Sequence, residues 1–204
     1  MIVSILNCDK EFGIGKKNGL LFSLPLDMKF FREQTLNHFV AMGENTLLSF
    51  PNSKPLKNRT HIVLSADKTH NYDGVINVHS FDEFMKIISE KSKEETVFII
   101  GGASIYNQTL PYVDEVYLTK VNEVGGAEVF FNNLDQNENF LCFEESEPII
   151  DNGHEIKFTK YKNLNRKEIW WKTPQNLNEM RKKRISFFNF EKWFSKTKMH
   201  FKYF

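Results

Sequence analysis

Thr96-Val97-Phe98-Ile99-Ile100-Gly101-Gly102-Ala103-Ser104 is an apolar run that ends in two glycines and two small residues able to start a helix. A run with no polar interruption reads as a central strand covered on both faces, as in parallel sheets flanked by helices. Outward from it, Ile2–Cys8, Phe39–Met42, His61–Ser65, Val75–Val78 and Val116–Val121 also read as strands. Leu26–Leu36, Glu44–Phe50, Phe81–Lys91 and Ser104–Leu110 carry helical periodicity between them. Strands alternating with helices require crossover connections, hence a mostly parallel sheet of α/β class. Leu141–Glu144 and Glu155–Tyr161 alternate in polarity around the turn residues Asp151-Asn152-Gly153, which predicts an antiparallel hairpin at the sheet edge.

The chain of 204 residues is 41% hydrophobic and 26% charged, with a net charge of +1, so composition excludes disorder and gives no sign of nucleic-acid binding. That near-neutral sum hides a split. From Asn165 onward eleven basic residues face three acidic ones, a balance of +8, while the first 164 residues balance to −7. Cys8 and Cys142 stand far apart, so a reducing, cytoplasmic setting is expected and a disulfide framework is not. The six histidines lack metal-ligand spacing, and no apolar run is long enough to span a bilayer. Ile2-Val3-Ser4-Ile5-Leu6 reads as a first strand, not a signal peptide.

Three strands run directly into turn or helix-starting residues: Met42 into Gly43-Glu44-Asn45-Thr46, Leu64 into Ser65-Ala66-Asp67, and Ile100 into Gly101-Gly102-Ala103-Ser104. One such junction is ordinary loop chemistry, whereas three in a small domain suggest a nucleotide or dinucleotide at the carboxyl ends of the strands. Gly13-Ile14-Gly15-Lys16-Lys17-Asn18-Gly19 misses the dinucleotide fingerprint by one residue and is read as a mobile lid. In Ser23-Leu24-Pro25-Leu26-Asp27-Met28-Lys29-Phe30-Phe31-Arg32, Ser23 is the expected cap and Pro25 sits in the first turn. The helical projection puts Asp27 on the apolar face with Leu24, Phe30 and Phe31. A carboxylate there either supports the helix start or performs proton chemistry with a raised pKa. Arg59 enters a strand from a polar loop, either as a solvated charge or as a bidentate grip on a carboxylate.

Five motifs in order resemble dihydrofolate reductase over residues 1–163: Phe22-Ser-Leu-Pro-Leu-Asp27, Val40-Ala-Met-Gly-Glu-Asn-Thr46, Arg59-Thr-His-Ile-Val-Leu-Ser65, Ile99-Ile-Gly-Gly-Ala-Ser-Ile-Tyr106 and Tyr117-Leu-Thr119. The resemblance implies that family's mixed, mostly parallel central sheet with flanking helices and an antiparallel C-terminal edge hairpin. It implies reduction of 7,8-dihydrofolate to tetrahydrofolate with NADPH, by a cytoplasmic monomer serving one-carbon metabolism. Asp27 would bind the pteridine and assist protonation of N5, and Thr119 would hydrogen-bond Asp27. Ile5, Asn7 and Ile100 would border the ring, Met28, Phe31, Phe50 and Leu56 would pack against the substrate, and Arg59 would take its glutamyl carboxylate. For the cofactor, Asn7, Ile14, Gly15, Asn18 and Leu20 would lie at the nicotinamide and its lid, with Tyr106 near the ring. Gly43, Glu44, Asn45, Thr46, Leu64, Ser65 and Ala66 would line one part of the cofactor, and Ile100, Gly101, Gly102, Ala103, Ser104 and Ile105 the other. The Gly101–Gly102 peptide would be cis.

The chain departs from the family pattern at several points. Phe22 replaces a usual Trp, Leu21 a common Pro, and Asn7 a small residue. Glu44 stands where a basic residue often meets the 2′-phosphate, with Ser65 and Lys68 placed to offset it, and Ala66 replaces a common hydroxyl. Ala127 replaces a carboxylate that steadies the lid, from which slower or differently gated turnover is expected. Residues 164–204 form a basic aromatic extension outside the resemblance. Arg181-Lys-Lys-Arg184 precedes Phe187, Phe190, Phe194, Phe201 and Phe204 at near-helical spacing. They predict either an amphipathic helix on a membrane surface or protein partner, or a segment folded back on its own domain. Two rivals remain at this stage: a pyrimidine reductase of similar fold, against which Asp27 and Arg59 together argue, and an inactive reductase-like module whose tail recruits membrane, RNA or protein.

Overall fold

The computed structural model describes residues 1–17 and 19–169. Its centre is a nine-stranded sheet built from β1 (Ile2–Cys8), β3 (Phe39–Gly43), β4 (Thr60–Leu64), β5 (Ile76–Val78), β6 (Val97–Gly101), β7 (Glu115–Val121), β9 (Phe140–Glu145), β10 (Ile149–Asp151) and β11 (His154–Asn163). The order is β10-β11-β7-β1-β6-β3-β4-β5, with β9 also paired to β11. All pairings from β7 to β5 are parallel, and β11 runs antiparallel to β7. Four helices connect the strands: α1 (Pro25–Thr35), α2 (Glu44–Leu48), α3 (Phe81–Lys91) and α4 (Ala103–Thr109).

Every residue of β6 is buried, as its unbroken apolar run requires. Val3, Ile5, Val40, Met42, Val63, Phe98 and Ile100 from four neighbouring strands form one core cluster with Leu47 of α2. Half-buried Phe30 and Phe31 of α1 pack against it, and each fully buried large apolar side chain of the cluster contributes roughly 1.5–3 kcal/mol. In α3 the Ser80 hydroxyl caps the Glu83 amide at 3.3 Å, and Phe84, Met85 and Ile88 form the buried face.

The edge differs from the expected single hairpin. Asp151-Asn152-Gly153 does turn the chain, but β11's partner across the turn is β10, and β9 pairs further along β11 from Phe140 to Glu145. Strand β11 is long enough to hold two short partners in succession. Helix α2 ends at Leu48, two residues short of expectation, and Pro51–Ser53 forms a separate 3-10 turn. Gly13–Gly15, read from the sequence as part of a mobile lid, is a short strand, β2, paired antiparallel with β8 (Val129–Phe130).

The start of α1 is also a correction. Ser23 caps nothing with its side chain. Pro25 occupies the first helical position and has no N–H, so Leu26 and Asp27 carry the first orphan donors. Both donate to Asp151 Oδ2, at 2.8 and 3.2 Å. The neighbouring Asn152 amide donates to the Ser23 carbonyl at 2.9 Å. The hairpin tip therefore clasps the helix start, and Asp151 is buried there. Asp151→Ala is expected to destabilise by about 1–2 kcal/mol, the usual cost of a lost cap, or ~2–4 °C in Tm per kcal/mol for a domain this size. Calorimetry checks it, and Asp151→Asn, which keeps an acceptor, should lose less.

Beyond β11 the chain stays attached to the domain through Leu164 N to Asn139 O and Lys167 N to Pro111 O, both 2.8 Å, and through an Arg166–Asp114 ion pair at 2.9 Å. The helix expected around Phe187–Phe204 lies outside the described residues.

Candidate active site

Strands β1 and β7 are neighbours in a register that pairs Asn7 with Thr119, and α1 crosses over them carrying Asp27. The Asn7 side-chain amide donates to Asp27 Oδ2 at 2.8 Å, and the Thr119 hydroxyl also bonds to the carboxylate. Asp27 is only 7% exposed. Burial pushes its pKa above the usual carboxylate range, the Thr119 and Asn7 hydrogen bonds pull it back, and the nearby Asp151 charge adds to the rise. Leu24 is buried beside it and Phe30 and Phe31 are half-buried, as the projection required, whereas Leu26 and Met28 are exposed at 41% and 50%. Met28 faces a cleft and not packed protein.

That cleft, of about 280 Å³, is lined by Pro25, Met28, Lys29, Phe31, Arg32, Leu56 and Arg59. Of the expected substrate residues, Met28, Phe31, Leu56 and Arg59 thus share one wall system, while Ile5, Phe50 and Ile100 belong to the adjoining core cluster. Arg59 donates from Nε to Thr35 Oγ1 at 2.8 Å, from one terminal nitrogen to Lys57 O at 2.8 Å and from the other to Arg32 O at 3.3 Å. A guanidinium has five N–H groups. Three are committed, which leaves one on each terminal nitrogen. Burial, and then the Arg32 cation, lower the Arg59 pKa. None of the ion pairs among the described residues includes Arg59. Leu56 is fixed from behind by its amide, which donates to Nε2 of the fully buried His61 at 3.0 Å; the sequence offered no signal for this contact.

The three strand-to-turn junctions lie side by side, because β6, β3 and β4 are adjacent and parallel. Neither α2 nor α4 has a side-chain cap at its start, whereas α3 is capped by Ser80. The first-turn N–H groups of α2 and α4 are therefore without side-chain acceptors on the flank where Gly43, Thr46, Gly102, Ala103, Ser104 and Ile105 meet. A Cβ at Gly102 would come within 3.5 Å of Thr46 Oγ1, so the two junctions abut. The Gly101–Gly102 peptide is cis, and Gly101 has φ +109° with the Tyr106 ring 2.9 Å from where a Cβ would stand. The buried Tyr106 hydroxyl donates to the Ile5 carbonyl at 2.8 Å, which ties α4 to β1. Asn45 and Ala66 are exposed, and Ser65 is buried at the end of β4.

Glu44 is not a loose charge. Its carboxylate accepts from the Tyr72 hydroxyl and is 2.6 Å from His70 Nδ1, contacts that hold its pKa below the usual value. Phe22, in place of an indole, lies 5.0 Å from the His154 ring and packs with Leu24, Val121 and Ile156.

In the lid, Ile14 and Gly15 lie in β2, Leu20 is 61% exposed, and Asn18 lies outside the described residues. Two carboxylates answer for the one Ala127 lacks. Asp9, 2% exposed, accepts from Gly13 N at 2.7 Å, Glu11 N at 2.9 Å and Gly125 N at 2.9 Å. Glu128 Oε2 accepts from Lys17 N at 3.0 Å. Ala127 Cβ and the Asp9 carboxylate both border Gly13, 2.3 and 2.9 Å from where a Cβ on that glycine would stand. Asp9→Ala strands three backbone donors and is expected to cost roughly 2–4 kcal/mol. Faster amide exchange at Gly13 and Gly125 would report it; unchanged exchange would remove this role. Among the described residues no group of His, Cys, Asp and Glu could hold a metal, and no helix is long and apolar enough to cross a membrane.

These features define an α/β protein with an inward carboxylate beside a run of uncapped helix starts, an arrangement suited to a cofactor-dependent reductase. A family model for dihydrofolate reductase matches residues 1–166. The dihydrofolate reductase of Bacillus subtilis (strain 168) is 31% identical over 166 residues, covering 81% of this chain and 96% of that protein. The viral dihydrofolate reductase of Saimiriine herpesvirus 2 (strain 488) is 31% identical over 79% of this chain and 84% of its own length. Among solved structures, dihydrofolate reductase from Enterococcus faecalis complexed with NADP(H) and RAB-propyl aligns with a TM-score of 0.71 at 28% identity, covering 80% of this chain and 96% of that one. The chain belongs to the dihydrofolate reductase family.

Proposed function

We propose that residues 1–163 form a catalytic domain that reduces 7,8-dihydrofolate to 5,6,7,8-tetrahydrofolate with NADPH, and that Asp27 serves the proton side of the reaction. The observation that carries this reading is the Asp27 carboxyl, buried and held by Asn7 and Thr119 on the helix whose Pro25, Met28 and Phe31 line a cleft together with Arg59. The residues fit the cofactor: two uncapped helix starts offer N–H groups for its phosphates, and Gly43 and Gly102 leave room for close approach. When bound, reduced nicotinamide supplies a hydride for the imine carbon of the pterin ring. The protein's part is to hold the ring, exclude water and make a proton available to the adjacent nitrogen, which becomes basic as the hydride arrives. Asp27 holds the ring edge through its carboxyl and keeps proton affinity high because it is desolvated. Met28, Phe31, Phe50 and Leu56 supply apolar contact, and Arg59 anchors the far carboxylate. Asp9 and Glu128 hold the lid that closes over the site.

The Glu44 carboxylate is turned onto Tyr72 and His70 and is kept ionised there, which is why NADH is to be compared with NADPH. Two unpaired cysteines, Cys8 and Cys142, support a reducing, cytoplasmic setting, where the chain acts as a monomer. Residues 164–204 are an extension to this domain. Loss of absorbance at 340 nm with dihydrofolate, measured with NADPH and NADH in parallel, tests the reading. No decay with either cofactor would overturn it.

A further inference from the structure

Asn7 is 6% exposed, donates through Nδ2 to Asp27 Oδ2 at 2.8 Å, and has a buried Oδ1 with no hydrogen-bond partner. A buried amide oxygen without a donor is unfavourable, and the charge-assisted bond on the other side of the amide offsets that cost only while Asp27 is ionised. Once Asp27 takes up a proton, its O–H is a donor, and the same amide turned over is an acceptor within reach. A half-turn about the Asn7 Cβ–Cγ bond exchanges Oδ1 with Nδ2 without moving the backbone of β1.

We propose that Asn7 is a positioning residue for the Asp27 proton, its side-chain amide donating to the carboxylate and, turned over, accepting from the carboxylic acid. The proposal rests on the reading of Asp27 as the proton-bearing group. Asn7 itself gains and loses no proton. Asp27 takes one from solvent and returns it toward the substrate nitrogen, and the amide holds the carboxyl in one place in both states. The other groups facing Asp27 do this less well. Asp151, across the helix start, is a carboxylate and only repels. The Tyr106 phenol is committed to the Ile5 carbonyl. The Thr119 hydroxyl also bonds to the carboxyl and can turn, but it is not a buried atom left without a partner, as Asn7 Oδ1 is. A small aliphatic side chain at position 7 provides neither state.

The test begins with the unmodified full-length protein. The Asn7 side-chain 15N amide signal should move with pH in step with the Asp27 13C-carboxyl signal, assigned by its loss in Asp27→Asn. An Asn7 amide that stays flat across the Asp27 titration overturns the proposal. In Asn7→Ala and in Asn7→Leu, which keeps the volume, the Asp27 midpoint should move upward because a donor to the ionised form is gone. Single-turnover hydride transfer should fall about tenfold, the scale of one hydrogen bond to a charged group. Asn7→Ser, which can still donate and accept, should restore part of both. Variants that lose stability while the Asp27 midpoint stays put, or moves down, would show a merely structural residue. If Asp27→Asn itself leaves hydride transfer unchanged, the prior reading of Asp27 fails; if it slows transfer while the Asn7 signals stay flat, only the present proposal fails.

Discussion

Asp27→Asn is expected to lower turnover by about 10²–10⁴-fold, the usual contribution of a positioned proton-transfer group, while raising thermal stability at neutral pH. Both effects have one cause. Burial raises the Asp27 pKa, so the folded protein binds this proton more tightly than the unfolded chain does. The stabilising contribution of the neutral acid is full below the unfolded value of about 3.9 and is lost as pH rises through the higher folded value. Above that folded value the native protein carries a desolvated charge that the neutral amide of Asn lacks. A higher Tm for Asp27→Asn at pH 7, narrowing as the pH is lowered toward 4, is the calorimetric signature. The rate of the unmodified enzyme should decline as pH rises through the same raised value. A variant with full turnover, or one less stable at every pH, would remove Asp27 from its role.

Arg59→Leu is expected to raise KM for dihydrofolate by about 10²–10³-fold with kcat changed little, since two charge-assisted hydrogen bonds are lost far from the reacting atoms. The geometry makes this a question of preorganisation. Thr35, Lys57 and Arg32 hold three of the five N–H groups, so the guanidinium is fixed in place before substrate arrives. Arg59→Lys should recover little, because an ammonium has no planar fork and cannot make the same three contacts. A substrate lacking the glutamyl carboxylate supplies the control. It should bind wild type and variant alike. Equal losses for both substrates would mean that Arg59 supports the cleft wall and not the ligand.

Local chemistry made much of the fold legible. The unbroken run Val97–Ile100 demanded burial on both faces, and periodicity gave α3 its bounds Phe81–Lys91, because helical faces repeat within a few residues. Periodicity alone turned Asp27 inward. It could not show what meets the carboxyl, since Asn7 and Thr119 come together only through the pairing of two strands more than a hundred residues apart. The cap on α1 was misread for the same reason. Ser23 is the local candidate, but Pro25 shifts the orphan donors inward, where Asp151 reaches them from the far end of the chain. Glu44, alarming as an isolated carboxylate, is paired by Tyr72 and His70 from a loop whose path no nearby residue dictates. The lid showed its glycines in sequence, but Asp9 became its anchor only once β2 had paired with β8.

The clasp between Asp151 and the first turn of α1 also orders events in time. During synthesis the segment bearing Asp27 leaves the ribosome early, yet the acceptor for its leading amides emerges more than a hundred residues later. A nascent chain halted before the β10–β11 turn would have the cleft's raw materials without their final alignment. The helix start that carries Asp27 is therefore completed only when the last strands dock.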